Sequence, residues 1–218
     1  MGRDGSETRA RLLRAGEQVF ARSGVNGANL REINAAAGQR NNSALHYHFG
    51  SREGLLQAIA SRHQHEIDAE RVALFDRLDA RGDAADVHAV VAVWVRPMAS
   101  KLASDDGRDY LRILPELVDL LGRVEGLAPS GSAAESLDLP GLRRVLRDLR
   151  RLIPVEPDSI ITARLLDASH FAAASLAARA RELASGRRPA LGHERYVENL
   201  VAMVSGALRA PRQALAEF

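Results

Sequence analysis

Arg40, Asn42, Ser43, His46 and Tyr47 crowd into one short polar stretch, RNNSALHYHF. These side chains suit recognition by hydrogen bonding. Arg reads guanine through two parallel bonds, Asn reads adenine, and Ser, Tyr and His bond phosphates or base edges. Asn29, Asn41 and His48 flank them and complete the candidate nucleic-acid set. Other chemistries find less support. His46 and His48, like His63 and His65, are two residues apart. On a helix such side chains point about 200° apart, so neither pair converges on one ion. The sequence has no HExxH pattern, no cysteine, no calcium-loop pattern, no G-x-S-x-G elbow and no phosphate-cradling glycine loop. No catalytic residue, metal or cofactor is expected.

The elements around the stretch are those needed to present it. Asn29 is a candidate N-cap, with Glu32 three residues on as in a capping box. Leu30, Ile33, Ala36 and Ala37 then share one helical face, and Gly38 ends the run. A second helix is predicted from Asn41 or Asn42 to about His48, with Leu45 and Phe49 facing inward. Ser51 can cap a further helix whose first residue, Arg52, would sit beside the phosphate backbone. A preceding helix over Glu7–Ser23 supplies Leu13, Gly16, Val19 and Phe20 to the same small core, and Gly24 stops it. Two short helices joined by a tight turn, the second polar, have the layout of a helix-turn-helix.

Residues 8–60 resemble the N-terminal domain of the TetR family of bacterial transcriptional regulators. The matching pieces are LLRAGEQVFARSG (Leu12–Gly24), NLREINAAAG (Asn29–Gly38), LHYHF (Leu45–Phe49) and SREGLLQAI (Ser51–Ile59). The resemblance implies that Arg31 touches DNA from the second helix and that Arg52 grips a phosphate at the start of the fourth. Three features depart from the family pattern. The turn and recognition helix, GQRNNSALHYHF, are one residue longer, which leaves open which of Gln39 to Ser43 meets the bases. Asn34 stands where the family usually has Ala, and His46 replaces the usual Tyr.

Composition agrees with a helical DNA reader. The 218 residues are 46% hydrophobic but 4% aromatic, with a net charge of +2. Residues 1–52 hold eight Arg against Asp4, Glu7, Glu17 and Glu32, or +4, so the remainder is slightly acidic. A basic head on an acidic body is the electrostatic footprint of a nucleic-acid binder. The absence of cysteine fits a reducing compartment, and no apolar run is long enough to span a membrane. The N-terminus, MGRDGSETRA, lacks the apolar core of a signal peptide. A cytoplasmic protein is expected.

Beyond the head, punctuation predicts helices at Arg52–Arg81, Ala84–Ser104 (with Pro97 as a kink), Arg108–Leu121 (interrupted at Pro115), Pro140–Leu152, Asp158–Ser185 and His193–Arg209. Gly126–Asp138 reads as a loop. Trp94, Met98, Tyr110, His170 and Phe171, with His88, mix apolar bulk and polar tips as ligand pockets do. Ala168, Ala172 and Ser175, with Tyr196, Leu200 and Met203, form small-residue and apolar stripes on the last two helices. Periodicity alone leaves a core face and a dimer face equally open. The resemblance implies the dimer, because family members pair through these helices.

The resulting expectation is an all-α protein, with a helix-turn-helix head over residues 1–52 and an effector-binding and dimerisation body over 53–218. Its partners would be an operator in double-stranded DNA, a small organic effector and a second copy of itself. A ligand-free architectural DNA-binding protein and a helical small-molecule enzyme are the alternatives. The first would lack a body cavity; the second would turn over substrate without binding DNA.

Overall fold

The computed structural model describes residues 3–39, 41, 43–82, 86–122, 138–153 and 157–211. Within them the chain is helical and no strand occurs: α1 (Arg3–Ser23), α2 (Leu30–Ala36), α3 (Ala44–Phe49), α4 (Arg52–Arg81), α5 (Val87–Ser100), α6 (Asp105–Gly122), α7 (Pro140–Leu152), α8 (Asp158–Ala184) and α9 (His193–Leu208). A short 3-10 turn, Lys101–Ala103, joins α5 to α6.

Local chemistry sets most of these boundaries. The Ser51 hydroxyl accepts from the Gly54 amide at 3.1 Å and starts α4, and Gly82, at φ 69°, ends it. Asp86 caps α5 by accepting from the Ala89 amide at 2.8 Å, so the helix begins later than its apolar pattern suggests. Pro97 and Pro115 lie inside α5 and α6 without ending either. Pro157 stands at the cap position of α8, whose first residue is Asp158. The predicted loop at 126–138 falls, apart from Asp138, outside the described residues.

One apolar cluster runs through head and body alike, from Leu12 and Phe20 through Ile59, Val91 and Leu114 to Leu165 and Leu208. A head of about 50 residues buries too little surface to be secure alone. Here it shares its core with α4 and α6. The approach of α1 to α4 depends on Gly16, where an added Cβ would lie 2.7 Å from Leu55 Cδ2.

Candidate nucleic-acid interface

Asn29 caps α2 as its type predicts, its Oδ1 accepting from the Arg31 amide at 2.9 Å. Glu32 instead pairs with Arg22 on α1, tying the two helices on their outer side. The helix stops in a Schellman turn. Gly38 is at φ 69°, its amide donates to Ala35 O at 2.9 Å, and the Gln39 amide donates to Asn34 O at 2.9 Å. The chain then makes a second turn, in which Asn41 Oδ1 accepts from the Ser43 amide at 2.9 Å. This side-chain bond holds the backbone out of the helix, so α3 starts at Ala44 and not at Asn41 or Asn42.

Leu45 buries α3 against the core at 2% exposure. Arg31, Asn41, Ser43 and His46 are exposed on the other side. Tyr47 is 81% exposed, the most exposed large hydrophobic side chain among the described residues. His48 and Phe49 are half-buried, and the His48 ring meets Tyr47 edge-on at 5.1 Å. The Arg9 guanidinium lies 5.1 Å from the centre of the Phe49 ring, bringing the start of α1 to the same surface. Arg40 and Asn42 lie outside the described residues. Arg52 is half-buried, and its guanidinium donates to the carbonyls of Val25 and, at 3.2 Å, Asn26. In this conformation it closes the α1–α2 loop.

Sequence reasoning missed three groups behind this surface. Asn34 is only 2% exposed, with Nδ2 donating to Leu30 O at 3.0 Å and Oδ1 accepting from the Leu45 amide at 3.2 Å. Glu17, with no exposed surface, lies 2.5 Å from His63 Nε2 and 2.8 Å from Arg62 Nη2. Its neighbour Arg14 pairs with Asp106 at 2.8 Å and Asp109 at 3.3 Å on α6. His63 stacks on Tyr110 at 4.1 Å, and the Tyr110 hydroxyl accepts from Gln64 Nε2 at 2.8 Å. Burial pushes the Asp109 carboxyl above its ordinary range, against the pull of Arg14 and Arg112. A third link joins the loop amide of Val25 to Glu116 Oε2 on α6 at 3.0 Å. The only sequence signal for these was a polar residue on an apolar stripe, as at Glu17 beside Val19 and Phe20.

In the body, Trp94, Met98 and Tyr110 are buried in the apolar cluster, while His170 and Phe171 are half-buried. His88 is exposed. A depression of about 460 Å³ lies elsewhere, lined by Ser175, Arg179, Glu182, Leu191 and Tyr196. Arg179 there lies 4.8 Å from the centre of the Tyr196 ring and 2.8 Å from Glu182. Burial pushes the Tyr196 hydroxyl up to about 12. The stripes of α8 and α9 divide. Ala168, Ala172 and Leu200 are buried within the chain's own core, Ser175 and Tyr196 are half-buried, and Met203 is 49% exposed.

An α-helical head with a short polar helix held outward after a Schellman turn has the layout of a helix-turn-helix. Residues 12–59 match the model of the bacterial regulatory proteins of the tetR family. The likeness to that family therefore lies in the head, over less than a quarter of the chain. No curated protein matches the chain. Solved structures similar to it include a TetR-family transcriptional regulator from Mesorhizobium loti, 15% identical, covering 95% of this chain and 98% of that one at a TM-score of 0.48. A TetR-family regulator from Streptomyces coelicolor is 17% identical over 96% of this chain and 100% of its own, at 0.46. A gamma-butyrolactone receptor is 22% identical over 93% and 98%, at 0.42. Among the described residues no helix is long and apolar enough to cross a membrane.

Proposed function

We propose that this chain is a ligand-responsive repressor that binds a palindromic operator as a homodimer. The observation that carries the reading is the surface around α3. Tyr47 at 81% exposure, with exposed Arg31, Asn41, Ser43 and His46, presents most of its polar and aromatic surface to solvent. Such a set is explained by what it touches outside the chain. His48 lies at its edge, and Arg40 and Asn42 adjoin it in sequence. Arg52 would meet phosphate by exchanging a loop carbonyl for a phosphate oxygen. The 1–52 head and the 53–218 body remain our division of labour, with α4 running from one into the other.

The second copy would pack on the outer face of α8 and α9, where Met203, Ala202, Gly206 and Ala207 are exposed. A two-fold protein places its heads roughly 34–36 Å apart, one turn of DNA. The effector would be a small organic molecule held among Trp94, Met98, Tyr110, His170 and Phe171, with no metal or cofactor involved. Support comes from the mix of apolar bulk with the Tyr110 hydroxyl and the buried amide of Gln64 beside it. By linkage, an effector that prefers the DNA-incompetent state weakens operator binding by the same factor that operator weakens its own. A cytoplasmic location follows from the role.

The test is to sequence the DNA that the purified protein captures from its own genome, then to footprint the enriched site. Two inverted half-sites about one turn apart are expected. Equal affinity for the enriched site and for random duplex would refute the reading.

A further inference from the structure

Helix α3 has an N-terminus that its own cap residue does not satisfy. Ser43, at the cap position, makes no side-chain bond to the helix. The Ala44 amide turns back to Asn41 O at 3.3 Å. The Leu45 amide is taken by a side chain from another helix, Asn34 Oδ1 at 3.2 Å, in a buried setting. Asn34 is fixed at its other end, because its Nδ2 donates to Leu30 O at 3.0 Å, one turn back along α2. Its own carbonyl accepts the Gln39 amide at 2.9 Å and so closes the Schellman turn. One residue thus joins α2, the turn and the first turn of α3.

We propose that Asn34 is a positioning residue for base recognition, acting as an N-cap supplied to the recognition helix from outside it. The proposal rests on the reading of this surface as a DNA reader. The physical need is clear from length. Six residues make a helix of roughly 9 Å, far too short to persist by its own hydrogen bonds. Leu45 is buried and Ala44 and Phe49 pack at the edge of the core, which holds the helix down, but apolar contacts are non-directional and leave its first turn free to fray. The bond to Leu45 N fixes that first turn, beside which Asn41, Ser43 and His46 are exposed. Alanine at this position would leave a buried N–H without a partner and let the first turn fray. Arg31 and Arg52, on α2 and α4, stand on helices that do not depend on this bond. Sequence readout and phosphate grip should therefore separate.

The experiment compares wild type, Asn34→Ala and Asn34→Asp on the captured site and on random duplex, with exchange of the Leu45 amide followed by NMR. In Asn34→Ala the preference for the captured site should fall about tenfold or more, the size of a lost helix cap. Affinity for random DNA should stay within about twofold, and the Leu45 amide should exchange faster while Gln39 stays protected. Asn34→Asp keeps an oxygen for Leu45 N and should retain more of the preference than Asn34→Ala. It also serves as the variant of record if Asn34→Ala fails to fold. An unchanged preference in Asn34→Ala, or equal loss in both variants, overturns the proposal. Wild type with no preferred DNA at all would instead refute the regulator reading.

Discussion

At the seam beneath the head, Glu17 has no exposed surface and meets His63, Arg62 and Arg14, whereas on the outer face of α8 and α9 Met203 keeps 49% exposure beside the exposed Ala202, Gly206 and Ala207. The seam is centred on one carboxylate taken out of water, with His63 buried beside it and the partly exposed Arg62 and Arg14 at its rim. Its ions gain little net energy over an apolar packing, but each needs its partner in one place. Such a contact fixes how the head sits on α4 and α6. The outer face carries no comparable constraint within the chain. Its small and apolar side chains gain only by being covered, which suits a surface that a second copy completes. The seam sets an angle inside the chain; in the proposed dimer the outer face would set a distance between two chains. A palindromic operator needs both.

The largest expected effect breaks the seam. Glu17→Ala leaves His63 and the Arg62 guanidinium without their buried carboxylate, at a cost of about 3–5 kcal/mol. Denaturant unfolding should show the loss, with the head melting first. A variant as stable as wild type would mean the cluster carries no constraint.

Next comes the outer face. Met203→Arg should raise the dimer dissociation constant by about a hundredfold, close to 3 kcal/mol, while the monomer stays folded, because Met203 is 49% exposed within the chain. Sedimentation with circular dichroism separates the two. A folded, undiminished dimer would place the interface elsewhere.

Smaller is the effect of Arg52→Ala. It removes the donor to the Val25 and Asn26 carbonyls, a loss on the order of 1.5 kcal/mol, and with it the proposed phosphate contact. Binding to all sequences should weaken and its salt dependence should flatten. Unchanged affinity for both captured and random DNA would confine Arg52 to closing the loop.

The smallest effect is acid titration. A hydrogen bond from Arg144 and its charge hold the Asp79 carboxyl below its ordinary 3.8. A depressed carboxyl contributes stability above its unfolded value and loses it as pH falls through the folded one. Asp109 runs the other way. Burial raises its folded value above 3.8, so its ionised form carries a cost that protonation relieves as pH falls. Carboxyl NMR should find Asp109 titrating above Asp79, and Arg144→Ala should move Asp79 upward only. Asp79 is exposed, so its contribution to unfolding should be slight.

Where a boundary is set by neighbours in sequence, it was legible. The ends of α4 follow from Ser51 and Gly82, the start of α7 from Pro140, and the frame of the helix-turn-helix from Asn29 and Gly38. The start of α3 was misplaced because Asn41 bonds its own turn, a choice that a polar run does not announce. The α8 and α9 stripes were visible as stripes. Which residues of them face inward was not, because a 3.6-residue period marks an apolar face without saying what covers it.

Caps, glycines and apolar spacing act within a few residues, so the helices, the helix-turn-helix frame and the resemblance of the head to one family can be read from the residues alone. It takes the packing of the helices to bring Glu17 to His63 across 46 residues and to let Asn34 cap a helix it does not belong to. That packing also turns Leu200 inward and leaves Met203 outward. These outcomes depend on which helices come together, and a polar side chain carries no mark of the distant partner that satisfies it until the packing brings the two within hydrogen-bond reach.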